Sequence, residues 1–160
     1  MPENASPPEL DVARSSVMPE TVDSEDGDIL PSASDKLIAA CIRVRQHAYC
    51  PYSLFPVGSA VLTKSGEVFE GANVENIAFP NGWCAECSAI GAAVSSGQRK
   101  IMAVAVTTAR EAFVLPCGRC RQVISEFAEP GAMLYLVNVT GKIRAMRFHS
   151  TLPQPLTTLN

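Results

Sequence analysis

Several features that would define a class of protein are missing from this 160-residue sequence. No apolar run approaches the ~20 residues of a membrane-spanning helix, and the first residues lack the basic region and apolar stretch of a signal peptide. The 13 Lys and Arg residues are scattered and form no basic run of the kind that contacts nucleic acid. We therefore expect a cytoplasmic protein that binds neither membranes nor nucleic acid.

Histidine is scarce, whereas cysteine is not. His47 and His149 match no metal-binding motif, but six cysteines occur at positions 41, 50, 84, 87, 117 and 120. A secreted chain could pair them as disulfides. Because a signal peptide is lacking and two C-x-x-C spacings are present, metal binding is the better interpretation.

Charge and proline divide the chain into two parts. Residues 1–33 hold eight of the 16 acidic residues, five of the 12 prolines and no aromatic residue. Such a segment cannot bury enough apolar surface to offset its ordering entropy, which predicts a disordered acidic tail. Residues 34–160 contain the apolar material for one folded domain, within a chain that is 47% hydrophobic.

The hydrophobic pattern of the second part predicts alternating helices and strands. Ser34 is a plausible N-cap for a helix that ends near Ala48, with Cys41 on its apolar face. Further helices are predicted over 84–96 and 117–128, the latter closed by Pro130-Gly131. Strands are predicted over 56–63, 67–74, 101–106, 132–139 and 142–146. Strands separated by helices indicate an α/β layered sheet.

Two short stretches carry the parts of a catalytic metal site: Cys84-Ala85-Glu86 and the P-C-x-x-C segment with Cys117 and Cys120. They match the C-x-E … P-C-x-x-C form of the zinc deaminase signature, with Cys in place of the first His. Three thiolates can bind zinc and leave a position for water, whose pKa zinc lowers to about 7. Glu86 can then take that proton and pass it to a substrate, which is hydrolytic deamination.

A structural zinc site is the competing interpretation. Cys84-x-x-Cys87 and Cys117-x-x-Cys120 could supply four thiolates, and such a closed site stabilises a fold without catalysis. Residues 88–116 between them exceed the ~15–20 residues common in small zinc modules. A structural site of four cysteines also needs no carboxyl between two of its ligands, where Glu86 lies. These features favour the catalytic interpretation and leave the four-cysteine alternative open.

With four motifs in order, residues 35–153 resemble the small zinc-dependent cytidine deaminases of pyrimidine salvage. The first two motifs are A-Y-C-P-Y-S with F-P-V-G, over 48–58, and G-A-N-V-E-N, over 71–76; the two zinc motifs follow. The resemblance implies a three-layer α/β/α fold with a mixed, roughly five-stranded sheet, a homotetramer and one Zn²⁺ per subunit. It implies deamination of cytidine and 2'-deoxycytidine to uridine and 2'-deoxyuridine, with release of ammonia.

The resemblance also implies a role for each site residue. The zinc ligands would be Cys84, Cys117 and Cys120, and Glu86 would move the proton. Asn73 and Glu75 would hold the ribose hydroxyls, Phe55 would pack on the base, and the backbone N–H of Ala85 would bind the base carbonyl. An amide paired with a carboxylate suits vicinal hydroxyls, because one donates and both accept.

Three positions depart from the family pattern. Cys87 replaces an Arg that often follows the catalytic Glu and offsets the negative charge of zinc with three thiolates; Arg119 or Arg121 could compensate. Phe79 stands where a Tyr often approaches a neighbouring subunit's ligand, and Leu156 where a Phe caps a neighbour's site. Because Leu156 replaces the capping Phe, a second substrate hypothesis stays open: a cytosine nucleoside antibiotic such as blasticidin S. A third hypothesis is a non-catalytic interaction domain stabilised by four cysteines.

Overall fold

The computed structural model of the chain describes residues 31–158, so the predicted acidic tail lies, up to residue 30, outside the described residues. The helices are α1 (Pro31–Val44), α2 (Ala85–Ser95) and α3 (Gly118–Phe127). The strands are β1 (Val57–Thr63), β2 (Val68–Ala72), β3 (Ile101–Thr108), β4 (Ala128–Val137) and β5 (Ile143–Arg147). Within this part of the chain, none of the helices has the length and apolar character needed to cross a membrane.

The five strands form one mixed sheet in the order β2-β1-β3-β4-β5. β1 and β2 are a hairpin that turns at Gly66, whose φ of 88° is the left-handed conformation that glycine adopts readily. β3 and β4 are parallel because α3 carries the chain back between them, whereas the remaining neighbours are antiparallel. The predicted mixed, five-stranded sheet is therefore confirmed.

Alternation of side chains along the strands builds a core on each face of the sheet. Ala60, Ala103 and Ala105 belong to the cluster that contains Leu37 and Cys41 of α1. Their neighbours in the strands point the other way and form the cluster with α2 and α3, whose members include Val61, Val104, Val106, Ala89, Ile90 and Ile124. One helix thus covers one face and two helices cover the other, which confirms the predicted three-layer arrangement.

Two elements begin three or more residues before their predicted starts, and α1 ends at Val44, with a 3-10 turn over Arg45–His47, where the helix was predicted to end near Ala48. α1 begins at Pro31, three residues before Ser34, because proline is favoured at the first helical position, where an N–H needs no partner. β4 begins at Ala128, although Pro130-Gly131 was predicted to form a turn before the strand. The sheet accommodates this dipeptide in an irregularity: Ile101 pairs with Ala128, whereas Ala103 pairs with Met133.

Candidate metal centre and its cavity

Three cysteines converge where two helices begin. Cys84 is the N-cap of α2, Cys117 is the N-cap of α3, and Cys120 lies in the first turn of α3. Their Sγ atoms all lie within 4.8 Å of one another, and residues 31–158 contain no other such group of three His, Cys, Asp or Glu side chains. Helix N-termini carry partial positive charge, which favours the thiolate that binds metals.

Hydrogen bonding within the cluster separates the acidities of two thiols. The Cys120 thiol hydrogen-bonds to Cys84 and lowers the pKa of Cys84 to about 6, although burial and the Glu86 carboxylate oppose this shift. Donating to Cys84 in turn raises the pKa of Cys120, and burial adds to that effect. The two thiols are therefore coupled, and together they hold one proton more firmly than the other. A bound metal would replace that proton.

The donor set fits zinc with three ligands from the protein. At a Zn–S length of about 2.3 Å, two sulfurs of a tetrahedral zinc site are about 3.8 Å apart, and the three Sγ atoms here all lie within 4.8 Å of one another. The Sγ of Cys87 lies 3.9 Å from that of Cys120, but Cys87 is not a member of the cluster of mutually close sulfurs. The structure therefore brings three of the four C-x-x-C thiols together.

Glu86 lies beside this cluster in the first turn of α2 and is 5% exposed. Burial raises the pKa of its carboxyl, and a hydrogen bond from its own backbone N–H offsets this only in part. A carboxyl with a raised pKa can hold a proton as well as accept one, which a general acid–base group requires.

A cavity of about 520 Å³ opens onto the cysteines and Glu86. All eight site residues named from the sequence line it: Phe55, Asn73, Glu75, Cys84, Ala85, Glu86, Cys117 and Cys120. They come from four separate segments of the chain, so their convergence is a property of the fold. That convergence is a structural finding, whereas the role of each residue remains a prediction.

Comparison with known proteins decides the family. Residues 31–136 match the family model described as the cytidine and deoxycytidylate deaminase zinc-binding region. The chain belongs to this family. Because the family is zinc-binding and the cysteine cluster fits the metal, zinc is its cofactor. The resemblance stated from the four sequence motifs is confirmed.

The relatives of this family member agree in sequence and in fold. A cytidine deaminase from Sporosarcina psychrophila is 44% identical over 119 residues, which are 74% of this chain and 88% of the relative. The crystal structure of a cytidine deaminase from Burkholderia pseudomallei has a TM-score of 0.72 at 38% identity, covering 76% of this chain and 98% of the other. A blasticidin-S deaminase from Bacillus cereus is 35% identical, over 61% of this chain and 74% of its own length.

Asn73 and Glu75 are held by the backbone that forms the cavity wall. The Asn73 side chain accepts a hydrogen bond from the N–H of Val57 (2.8 Å) and donates one to the carbonyl of Phe55 (3.0 Å). Glu75 Oε2 accepts from the N–H groups of Tyr52 (2.9 Å) and Ser53 (3.2 Å). An amide and a carboxylate each have capacity beyond two hydrogen bonds, so both can still bind a ligand.

The same hydrogen bonds set the charge of Glu75. Slight desolvation raises the pKa of its carboxyl, but hydrogen bonds from the Ser53 side chain and from the Tyr52 and Ser53 amides outweigh it and hold the pKa below its usual range. Glu75 is therefore an anion throughout the neutral range. An anionic oxygen is a strong acceptor for hydroxyl donors.

Phe55 reaches the cavity from a bent segment. Leu54 has a φ of 53°, in the left-handed region that non-glycine residues rarely adopt, and its N–H donates to the carbonyl of Cys50. The Phe55 N–H then donates to Ser53 Oγ at 3.1 Å. Backbone strain of this kind persists where surrounding contacts impose it and is common at binding sites.

Trp83 lines the cavity but was not assigned a place from the sequence. Trp83 and Arg119 line the cavity together, with the Arg119 guanidinium 5.4 Å from the Trp83 ring centroid. Trp83 had one available signal, its position directly before Cys84. Phe79 also lines the cavity and stacks edge-on against Tyr52, with ring centroids 5.7 Å apart. Leu156 lies outside the cavity lining, and its backbone pairs with the side-chain amide of Gln122.

Proposed function

We propose that this chain is a zinc-dependent cytidine deaminase. It converts cytidine and 2'-deoxycytidine, with one water, to uridine and 2'-deoxyuridine, with release of ammonia. The observation that carries the proposal is the single cavity that joins three metal-binding thiols, a buried carboxyl and a polar pair for a sugar. The 44% identity to a cytidine deaminase over most of the chain supports the same substrate class.

Cys84, Cys117 and Cys120 would hold one zinc ion per subunit. Bound zinc supplies a Lewis acid that lowers the pKa of the attacking water. The two helix N-termini beside the thiols favour their deprotonated, ligating form. The three thiols would thus hold the metal in the cavity that Glu86 also lines.

Glu86 is the proton carrier in this proposal. Its carboxylate takes the proton of the attacking water, delivers it to the ring nitrogen of cytosine, and takes the second proton to the departing amine. Burial supports this role, because the raised pKa of Glu86 lets the carboxyl hold each proton between the two transfers. The ring carbon gains an oxygen and loses the nitrogen, which leaves as ammonia.

The remaining residues orient the nucleoside. Glu75 and Asn73 would bind the ribose hydroxyls, since both line the cavity and both retain hydrogen-bonding capacity. Phe55 would pack on the base, and the N–H of Ala85, the first residue of α2, would bind the base carbonyl. Positioning of this kind lowers the barrier by holding the reacting atoms in line.

We also propose a cytoplasmic homotetramer that acts in pyrimidine salvage. The tetramer is supported by large, exposed apolar side chains in the segments that contribute to the cavity wall or adjoin it, namely Tyr52, Leu54, Ile77, Phe79 and Trp83. Ile77 is 80% exposed and Leu54 is 77% exposed. Exposed apolar side chains of this size favour an interaction site, and a second copy of the chain would cover them.

Two alternatives are separated by one experiment. Ultraviolet absorbance of the zinc-loaded protein is followed with cytidine, 2'-deoxycytidine and blasticidin S in parallel. We expect loss of the cytidine band with both nucleosides and stoichiometric ammonia. Turnover of blasticidin S alone would support the alternative function, deamination of the antibiotic named for its 35% identical relative. No turnover of any substrate, with zinc bound by four sulfurs, would support the non-catalytic interaction domain.

A further inference from the structure

The cavity is rich in negative charge and has a single cation. Its lining contains the carboxyls of Glu75 and Glu86 and the three thiols of the metal cluster. Zinc with three thiolates would itself carry a net charge of −1. Among the described residues that line the cavity, Arg119 is the one Lys, Arg or His. Uncompensated like charges in a confined site destabilise one another, so this cation has a specific electrostatic use.

The position of Arg119 follows from its place in α3 and from its contact with Trp83. Arg119 lies in the first turn of α3, between Cys117 and Cys120. Its guanidinium lies over the indole of Trp83, at 5.4 Å, and Trp83 directly precedes Cys84. A cation–π contact of this kind orients a side chain that is otherwise exposed. Arg119 thus lies between two cysteines of the cluster in sequence and over the residue that precedes the third, which places its positive charge beside the three thiols that share its cavity.

Arg121, the second arginine after Cys117, contacts the C-terminal segment and not the cavity. Arg121 donates to the carbonyl of Thr151 at 2.5 Å, so it ties α3 to the C-terminal segment. Its Nε is buried without a hydrogen-bond partner, and its side chain is absent from the cavity lining. Of the two arginines that follow Cys117, only Arg119 is therefore placed to act on the metal site.

We propose that Arg119, supported by the Trp83 ring, is a positioning residue that supplies the counter-charge of the zinc–thiolate cluster. This inference rests on the proposed function, which makes the three cysteines zinc ligands. The cation would offset the net negative charge of zinc bound by three thiolates and so would stabilise the bound metal. Because the side chain is exposed, the interaction is screened by water and salt.

Zinc affinity measured against a chelating dye, at low and high salt, tests the proposal without using activity. We expect Arg119→Met to weaken zinc binding about fivefold at low salt. At high salt the fold-loss should be less than half as large, because salt screens an exposed charge. Arg119→Lys keeps the charge and should retain most of the affinity. Trp83→Leu should give an intermediate loss.

Arg144→Met is the matched control. The Arg144 guanidinium also lies over an aromatic ring, that of Phe113 at 4.5 Å, but Arg144 does not line the cavity. Its loss should change neither the zinc affinity nor the salt dependence of that affinity.

Three outcomes would overturn the proposal or its basis. A fall in zinc affinity that is equal at both salt concentrations and is not restored by Arg119→Lys would show that Arg119 acts through packing. Equal affinity of Arg119→Met and wild type would overturn it too. Failure of the wild type to bind zinc would instead overturn the ligand assignment itself.

Discussion

The backbone of Gly71, on β2, lies directly against the first turn of α2, where a Cβ added at Gly71 would be 2.5 Å from the carbonyl oxygen of Ala85. The same Cβ would be 2.3 Å from the backbone nitrogen of Ala89. No side chain fits there. This close approach sets the position of α2 on the sheet, and with it the position of Cys84 and Glu86.

Gly71→Ala should therefore displace the metal site as well as destabilise the fold. Overpacking against backbone atoms costs about 1–3 kcal/mol of unfolding free energy. We expect that loss in urea unfolding, together with weaker zinc binding, since α2 must move away from β2. Gly91→Ala is the control, because Gly91 lies in α2 and nothing lies within 4 Å of the added Cβ. An unchanged zinc affinity in Gly71→Ala would contradict the role given to this contact.

Cys87 provides a direct test of the number of zinc ligands. Its thiol is buried and close to Cys120 but is not one of the three mutually close sulfurs. Cys87→Ala should keep one zinc per subunit, whereas Cys117→Ala should lose most of it. Metal content after gel filtration measures both. Loss of zinc in Cys87→Ala equal to that in Cys117→Ala would favour the four-cysteine site.

Glu75→Gln should raise KM with a smaller effect on kcat. The substitution keeps the shape of the side chain but removes the charge of an acceptor for the ribose hydroxyls, which is worth roughly tenfold in binding. Zinc content should not change, because Glu75 is not part of the metal cluster. Glu70→Gln, on β2 and outside the cavity lining, is the matched control. Identical KM values for all three proteins would remove Glu75 from the sugar site.

The buried thiol of Cys41, which is outside the metal cluster, should make the stability of the fold depend on pH. Burial raises the pKa of its thiol to about 12, with the charge of Arg45 opposing in part. Above pH 9 the unfolded chain loses this proton and the folded chain keeps it, so stability is present below pH 9 and falls as pH rises towards 12. The loss is at most about 1.4 kcal/mol per pH unit.

Urea unfolding at pH 8 and pH 10 measures this effect by difference. We expect the wild type to lose about 1 kcal/mol more than Cys41→Ala between the two pH values. The intrinsic cost of the substitution cancels, because each protein is compared with itself. Equal losses in the two proteins would show that the Cys41 thiol does not resist deprotonation in the fold.

Much of the fold was predictable because its signals are local. Ile101–Thr108 is almost wholly apolar, as a strand covered on both faces requires, and it is the central strand of the sheet. The cysteine motifs were predictable for the same reason: Cys117 and Cys120 are one helical turn apart, and both belong to the metal cluster. Spacing along one element is readable from the sequence.

The rest depended on contacts between distant segments. Nothing in the local pattern shows that Asn73 hydrogen-bonds to the backbone at Phe55 and Val57, or that Arg119 meets Trp83. Pro130 has the local character of a turn, and only the pairing of Ala128 with Ile101 extends β4 past it. In each case tertiary contacts determine the outcome, and propensity is a weak guide to them.

The most direct test of the central claim is turnover of cytidine by wild type and Glu86→Gln at equal zinc content. Glu86→Gln is isosteric and should leave the three thiols and their metal in place. We predict one zinc per subunit in both proteins, with turnover in the wild type and a loss of at least about a hundredfold in the variant, since a general acid–base group contributes that much or more. Turnover that survives in zinc-loaded Glu86→Gln would contradict the account.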